Sequence, residues 1–216
     1  MSKSHNALLS DESFAALVAV GIVGCQWWIM DELNVPVQWA IPGLATMLIG
    51  ASLFLWLLPG RQRRASVDLR FGLVIVLVVA NLVDLVALGA QAFFHAPPGA
   101  VELLFTGLIL WTMNVLVFGL VYWVLDGGGP EVRAGDAPLA IDFVFPQQAG
   151  ADKTAGEWRA AFGDYLYLAF TGAIAFGPTD AMPYSRRAKA AMTVEAAAAL
   201  AALGVVIARA VSLAGT

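Results

Sequence analysis

Three acidic residues lie within or beside long apolar stretches, and they are the residues of this sequence best suited to chemistry. Asp84 lies in the middle of the apolar segment Phe71–Phe94. Glu195 lies near the start of the segment Ala190–Leu213, and Asp180 lies between two apolar segments. A carboxylate at the centre of a bilayer costs roughly 2.5–3.5 kcal/mol on insertion scales, so it should face other helices and have a partner. The three carboxylates could form a path for protons or small cations, or each could simply hydrogen-bond to a neighbouring helix.

Other polar residues of the apolar segments are candidate partners for these carboxylates. Thr112 and Asn114 lie in the middle of the segment Leu103–Leu125 and are the candidate partners of Asp84. The intramembrane polar candidates are therefore Asp84, Asn114 and Glu195. Cys25 and Gln26, near the end of the first apolar segment, are interpreted as ordinary packing residues.

The sequence before Asp180 predicts a helix that ends abruptly. The apolar run Tyr165–Phe176 is followed by Gly177-Pro178 and then by the polar pair Thr179-Asp180. Irregular backbone at membrane depth is tolerated only where it is buried in protein or lines a wet cavity. The candidates for a pore or an ion-binding constriction are Thr171, Phe176, Gly177, Pro178, Thr179 and Asp180. The alternative is a helix–turn–helix hairpin in which Asp180 or Ser185 caps the last helix.

The composition predicts that these residues lie in a membrane protein. The chain has 216 residues, of which 60 % are hydrophobic and 13 % are charged, whereas a soluble domain has about 45–50 % apolar and about 25 % charged residues. The net charge of −4 argues against a nucleic-acid partner, since such proteins carry a basic footprint. One cysteine and two histidines are too few for the usual zinc sites, so we expect no metal and no other cofactor.

The elements that must position the polar residues are membrane-spanning helices, each of which needs about 20 mostly apolar residues. We predict an all-α, polytopic transmembrane bundle that forms a single domain over residues 1–216. Five segments are predicted to span: Ser13–Met30, Leu33–Gly60, Phe71–Phe94, Leu103–Leu125 and Ala190–Leu213. Aromatic residues near the predicted helix ends, such as Trp28 and Tyr122, are expected to lie at the membrane interface.

The distribution of basic residues predicts the orientation. Arg61, Arg63, Arg64 and Arg70 cluster between the second and third spans, so the positive-inside rule places this loop in the cytoplasm. The N-terminus is then also cytoplasmic, and the protein belongs to the plasma (inner) membrane. The polar loop of residues 126–159 is predicted to be cytoplasmic as well, with its apolar stretch Ile141–Pro146 folded back onto the membrane or the protein.

The segment of residues 158–177 leaves two topologies open. If this short helix spans the membrane, Arg186, Arg187 and Lys189 fall outside the cell and violate the positive-inside rule. If it is re-entrant, these three cations are cytoplasmic and the last helix ends outside. The segment is nevertheless long enough to cross as a tilted helix, so both arrangements remain.

The last apolar segment is rich in alanine, with Ala196–Ala199 and Ala201-Ala202. Small residues allow close approach of helices in lipid. This helix is therefore expected to pack within the bundle or against a second copy, which would make the protein a homo-oligomer, with membrane lipids as its other partners. No Ser/His, His/Glu or paired-carboxylate arrangement has the spacing of a catalytic site, so we expect no enzymatic activity.

A series of short motifs covers roughly residues 105–212. They are Trp111-Thr112-Met113-Asn114-Val115, Tyr122-Trp123-Val124-Leu125-Asp126 with Gly128-Gly129-Pro130, Asp142-Phe143-Val144-Phe145-Pro146-Gln147, Asp164-Tyr165-Leu166-Tyr167-Leu168, Pro178-Thr179-Asp180 and Ile207-Ala208-Arg209-Ala210-Val211. Through these motifs the chain resembles a family of uncharacterised bacterial multi-pass membrane proteins of actinobacterial type. The resemblance implies the fold but no established activity.

The C-terminal hairpin is also weakly similar to the pore loop and inner helix of potassium channels. In those channels a short pore helix precedes Thr-Val-Gly-Tyr-Gly-Asp, whose carbonyl groups replace the hydration shell of the ion. Residues 175–180, Ala-Phe-Gly-Pro-Thr-Asp, occupy that place here. Only one glycine is present, Pro178 stands where a second is expected, and the charge pattern places this loop on the cytoplasmic rather than the outer side.

These observations predict a channel-like protein that passes a small cation through a broken-helix constriction. The alternative is a non-conducting membrane scaffold or accessory subunit that binds a partner through residues 126–159. The two hypotheses differ in what they require of the polar residues, since a pore needs them to converge within the bundle.

Overall fold

The computed structural model describes residues 2–33, 40–57, 63–94, 99–133, 141–149, 158–175 and 180–214, and it is mostly helical. Its helices are α1 (Ser2–Leu33), α2 (Ala40–Leu57), α3 (Arg63–Phe94), α4 (Ala100–Leu125), α5 (Pro130–Arg133), α6 (Pro146–Ala149), α7 (Phe162–Ala175) and α8 (Arg186–Ala214). Two short strands, β1 (Phe143–Val144) and β2 (Met182–Pro183), pair antiparallel.

Four helices are long and apolar enough to cross a membrane. The qualifying stretches are Asp11–Ile29 in α1, Asp68–Phe93 in α3, Val101–Gly128, which covers α4 and the turn that follows it, and Arg186–Ser212 in α8. They agree with four of the five predicted spans. The remaining one corresponds to α2, an 18-residue helix whose side chains from residue 51 onward lie outside the described residues, so its crossing stays a prediction.

The first four helices alternate in direction. Trp27 near the end of α1 donates a hydrogen bond to Thr46 near the start of α2 (3.3 Å), which makes these two helices an antiparallel pair. Arg70 near the start of α3 forms an ion pair with Glu12 near the start of α1 (3.8 Å). Therefore α1 and α3 run in the same direction, and α2 and α4 run in the opposite one.

Helices α7 and α8 both run antiparallel to α4, and therefore parallel to each other. Along α7, Leu166 packs on Gly119 of α4, and Phe170 packs edge-on against Trp111 at a centroid distance of 6.0 Å. Along α8, the side chain of Val206 lies against Gly107 of α4. Because α7 and α8 start at the same end of the bundle, residues 176–185 join the far end of α7 to the near end of α8.

Helix α4 is the centre of the bundle. Of its spanning residues 61 % are buried, compared with 33 % or fewer in each of the other three spans, and it packs against α1, α3, α7 and α8. The opposite faces of the surrounding helices expose large apolar side chains such as Leu17, Ile75, Leu200 and Val211. Exposed apolar surface of this extent is what a lipid-facing bundle presents.

A compact layer covers the end of the bundle at which α4 stops. We call it the cap: residues 126–133, 141–149 and 180–185. It begins where Gly127, Gly128 and Gly129, all with positive φ (59°, 83° and 100°), turn the chain sharply, a conformation that side chains with a Cβ atom rarely adopt. Phe143 and Phe145 are buried in the cap and Ile141 is exposed, so the predicted folding back onto the protein is confirmed for the two phenylalanines and not for Ile141.

Candidate functional site

Two polar side chains and one backbone carbonyl group form a buried bridge at the middle of the bundle. The amide of Asn81 on α3 donates to the side-chain oxygen of Asn114 on α4 (2.9 Å). The amide of Asn114 donates in turn to the backbone carbonyl of Glu195 on α8 (3.3 Å). Asn81 and Asn114 lie at the midpoints of their spans and are 2 % exposed. The bridge therefore joins three helices near the middle of the apolar stretches of α3 and α4.

The side chain of Glu195 extends from this bridge toward the cap. It is fully buried, and its Oε2 atom accepts a hydrogen bond from the hydroxyl of Tyr122 on α4. Its Oε1 atom has no hydrogen-bond partner among the described residues. Tyr122 is itself fully buried, so the prediction that it anchors the helix at the interface is wrong: its ring lies inside the bundle because α8 covers that face of α4.

Helix α7 packs against this carboxyl group through Gly172. A Cβ atom at Gly172 would lie 2.8 Å from Oε2 of Glu195, which is closer than a methyl group can approach. The absence of a side chain at this position lets the backbone of α7 contact Glu195 directly. Helix α7 ends at Ala175, one turn beyond this contact.

The second intramembrane carboxylate has no such partners. Asp84 is fully buried on α3, and neither of its oxygens has a hydrogen-bond partner among the described residues. The prediction that Asn114 and Thr112 are its partners is wrong. Asn114 bonds to Asn81 and Glu195 instead, and the exposed Thr112 donates to the carbonyl of Leu108 on its own helix (2.8 Å).

Of the six predicted constriction residues, the structure describes two, Thr171 and Asp180. Phe176, Gly177, Pro178 and Thr179 lie outside the described residues. Thr171 is half-buried on α7, where its hydroxyl donates to the carbonyl of Tyr167 (3.0 Å). Asp180 is exposed, and it lines a shallow groove with Thr171 and with Asp164 near the start of α7. Asp180 is therefore not joined to the buried carboxylates.

The cap holds the ends of α4, α7 and α8 together through two aspartates that sequence reasoning did not single out. Asp126 accepts from the hydroxyl of Tyr165 on α7 (2.6 Å) and from the N–H of Phe143 (3.2 Å). Asp142 accepts from the N–H of Gly127 (3.1 Å) and pairs with Arg187 at the start of α8 (2.6 Å). These bonds fix the three helix ends relative to one another.

The charge state of Asp142 follows from these contacts. Burial alone would raise the pKa of this carboxyl group, but hydrogen bonds from Arg187, from Ser185 and from the Gly127 N–H outweigh burial and lower the pKa below its ordinary value. Ser185 also accepts from the N–H of Ala188 (3.1 Å), so of the two predicted caps, Asp180 and Ser185, it is Ser185 that caps the last helix.

Gln26 is the residue whose environment was predicted least accurately from the sequence. It is fully buried on α1, and neither its amide nitrogen nor its oxygen has a hydrogen-bond partner among the described residues. An unpartnered buried amide is costly, so this is no ordinary packing residue. The available signal was a polar residue inside an apolar run, which is the same signal that identified Asp84.

Among the residues that the structure describes, no three His, Cys, Asp or Glu side chains are grouped so that they could hold a metal ion. Comparison of the chain with family models, curated proteins and solved structures found no match. The resemblance to the bacterial multi-pass family therefore stays a prediction, and the function has to be argued from the site.

Proposed function

We propose that the protein is an integral membrane protein of the plasma (inner) membrane that passes a small cation through its helical bundle, with Glu195 as the carboxylate that receives the cation. The observation that carries this proposal is the placement of α7. It is a half-length helix that runs parallel to α8 and contacts the buried Glu195 carboxyl group one turn before it ends.

The length of α7 supports a re-entrant rather than a spanning segment. Its 14 residues extend about 21 Å at 1.5 Å per residue, which is less than the roughly 30 Å of the hydrocarbon core. The chain is back beside Asp164 and Tyr167 by residues 180 and 181. In this proposal, α7 enters the membrane at the cap and the chain returns to the cap before α8 begins.

The C-terminal end of α7, which lies inside the bundle, favours the binding of a cation. The carbonyl groups of the last helical turn are unpaired within the helix and carry the negative end of its dipole. Discontinuous half-helices in transporters use such C-terminal ends to coordinate Na⁺ or H⁺ near the middle of the membrane. A buried carboxyl group adjacent to that end supplies the matching charge or a proton-binding site, and the predicted break of residues 176–180 starts there.

The basic residues support placing the cap in the cytoplasm. Arg70 lies near the ring of Trp123 at the cap end of α4 (5.9 Å), Arg133 donates to the Asp126 carbonyl in the cap, and Arg187 pairs with Asp142 of the cap. With α7 re-entrant, Arg186, Arg187 and Lys189 are cytoplasmic, and Arg209 is at the opposite end of α8. This distribution obeys the positive-inside rule and supports a cytoplasmic N-terminus.

The alternative function, a scaffold that binds a partner through residues 126–159, receives less support from the described part of this loop. Asp142, Phe143 and Phe145 are buried within the cap, where they hold helix ends together. A partner would therefore have to bind the rest of the loop.

Cation flux into liposomes tests the proposal. Purified protein is reconstituted into vesicles that contain a proton- or Na⁺-sensitive dye, and flux is started by a cation gradient. We expect wild-type vesicles to leak faster than empty ones and Glu195→Gln vesicles to match the empty ones, because glutamine keeps the acceptor for Tyr122 but cannot ionise.

Two further variants make the flux result specific. Thr112→Val is the matched control, since Thr112 bonds only to its own helix among the described contacts, and its flux should equal that of the wild type. Asp180→Asn tests whether the cation enters by the groove that Asp180 lines beside Thr171, in which case this variant reduces the flux. Equal leak in protein-containing and empty vesicles would contradict the proposed function.

A further inference from the structure

A second set of buried polar atoms belongs to residues of α1 and α3. Gln26 and Asp84 are both fully buried. Their polar atoms, together with the side-chain oxygen of Asn81, have no hydrogen-bond partner among the described residues. The proposed passage through Glu195 does not use this group, and ordinary packing does not explain it.

The register of the two helices brings Gln26 and Asp84 to the same level. Helices α1 and α3 are parallel and in contact, and the ion pair between Glu12 and Arg70 fixes their relative position near one end. Gln26 and Asp84 each follow 14 residues after a member of that pair. At 1.5 Å per residue both therefore lie about 21 Å further along the bundle.

Both side chains also point into the bundle. Gln26 continues the buried stripe of α1 that contains Ile22 and Ile29, and Asp84 continues the buried stripe of α3. Asn81 lies one turn before Asp84 on the same face, since residues three apart are neighbours on a helix. Its oxygen therefore faces the same region as the carboxylate.

We propose that Gln26, Asn81 and Asp84 bind a monovalent cation, Na⁺, at this level of the bundle. The group offers four unpartnered oxygens: two from Asp84, one from Gln26 and one from Asn81. Oxygen ligands of this kind suit hard cations. A single carboxylate balances one positive charge, and a divalent ion here would leave a net charge in an apolar environment, which is costly.

The site deepens the proposed function because it names Na⁺ as the cation, and to that extent it rests on that function. Asn81 belongs both to the Na⁺ site and to the bridge that ends at the Glu195 carbonyl. It therefore connects the two carboxylate regions. Binding of Na⁺ at Asp84 can nevertheless be measured without any passage across the membrane.

Protection from a carbodiimide tests the proposal. Dicyclohexylcarbodiimide enters apolar regions and reacts with protonated buried carboxyl groups, and the modified residue is identified by mass spectrometry. At constant pH and ionic strength, Na⁺ in place of choline should slow the labelling of Asp84. When Na⁺ reaches ten times its half-protecting concentration, the labelling rate should fall about tenfold, as mass action requires for a single site.

Two variants and one internal comparison define the outcomes. Gln26→Met removes one ligand at similar volume and should raise the half-protecting Na⁺ concentration at least tenfold, whereas Thr112→Val should leave it unchanged. The labelling of Glu195 is the internal comparison, since Gln26→Met should leave its dependence on Na⁺ unchanged. Equal labelling of Asp84 in Na⁺ and choline overturns the site, and so does an equal effect of Gln26→Met on the protection of both carboxyl groups.

The same measurement separates this inference from the proposed function. Protection of Asp84 by Na⁺ in a protein that passes no cation supports the site and contradicts only the passage. Passage of protons without any protection by Na⁺ supports the proposed function and overturns the Na⁺ site.

Discussion

Removal of the Tyr122 hydroxyl is the perturbation whose effect follows most directly from the site. The variant Tyr122→Phe keeps the ring and deletes the only hydrogen-bond donor to the Glu195 carboxyl group among the described residues. Both oxygens of Glu195 are then unpartnered in a fully buried position. Leaving a buried acceptor unsatisfied costs about 1–3 kcal/mol of stability.

A double-mutant cycle isolates the interaction from the other effects of each substitution. Glu195→Met alone leaves the Tyr122 hydroxyl without its acceptor, and the double variant replaces both partners by apolar groups of similar shape. The double variant should therefore be less destabilised than the sum of the single variants. The coupling energy should reach about 1.5 kcal/mol, near the upper end for hydrogen bonds within membranes, because Gly172 and α8 exclude any replacement partner.

Equilibrium unfolding in mixed micelles of dodecyl maltoside and sodium dodecyl sulfate, followed by circular dichroism, measures these free energies. Thr112→Val serves as the control and should leave the free energy of unfolding unchanged. Single-variant effects that add to within about 0.5 kcal/mol would refute the reasoning, since non-interacting sites behave in that way.

Three further predictions test the positions of α7, the cap and α8. Gly172→Ala should destabilise the protein by about 1–3 kcal/mol in the same unfolding assay, because a methyl group there would lie 2.8 Å from a buried carboxylate oxygen. Gly163 has open space around it, so Gly163→Ala should leave the free energy of unfolding unchanged. Acidification should destabilise the cap, because the pKa of Asp142 is lowered in the folded protein and the resulting stability is complete above about pH 4 and is lost as the pH falls through the folded pKa. Limited proteolysis should show this loss in the wild type and not in Asp142→Asn. In a cysteine-free background, Ser212→Cys should react with a membrane-impermeant maleimide added to intact cells and Tyr184→Cys should not, whereas labelling of Tyr184→Cys alone would indicate a spanning α7.

The sequence predicted the helices because the information for them is local. An apolar run of about 20 residues between charged residues, such as Leu103–Leu125, has few structures other than a spanning helix available in lipid. The ends of the helices were predicted less accurately. Helix α8 begins at Arg186 rather than at Ala190, because the Ser185 cap and the Asp142–Arg187 pair extend the helix beyond its apolar part.

The candidate site was only partly predictable because burial depends on which helices meet. Glu195 and Asn114 were identified as polar residues in apolar segments, and the structure brings them together. Tyr122 and Gln26 were misinterpreted, because a tyrosine near a helix end and a single amide have the same local sequence whether they face lipid or the bundle. That α7 runs parallel to α8 is a non-local fact that hydropathy does not contain.

A cation that moves through the bundle by way of Glu195 carries charge across the membrane, and this charge movement can be measured as a current. Proteoliposomes adsorbed on a supported membrane are exposed to a step in Na⁺ or proton concentration, and the resulting current is recorded. We predict a current for the wild type that is absent from Glu195→Gln and from empty liposomes. A current of equal size in the wild type and Glu195→Gln would contradict the account, as would no current above that of empty liposomes.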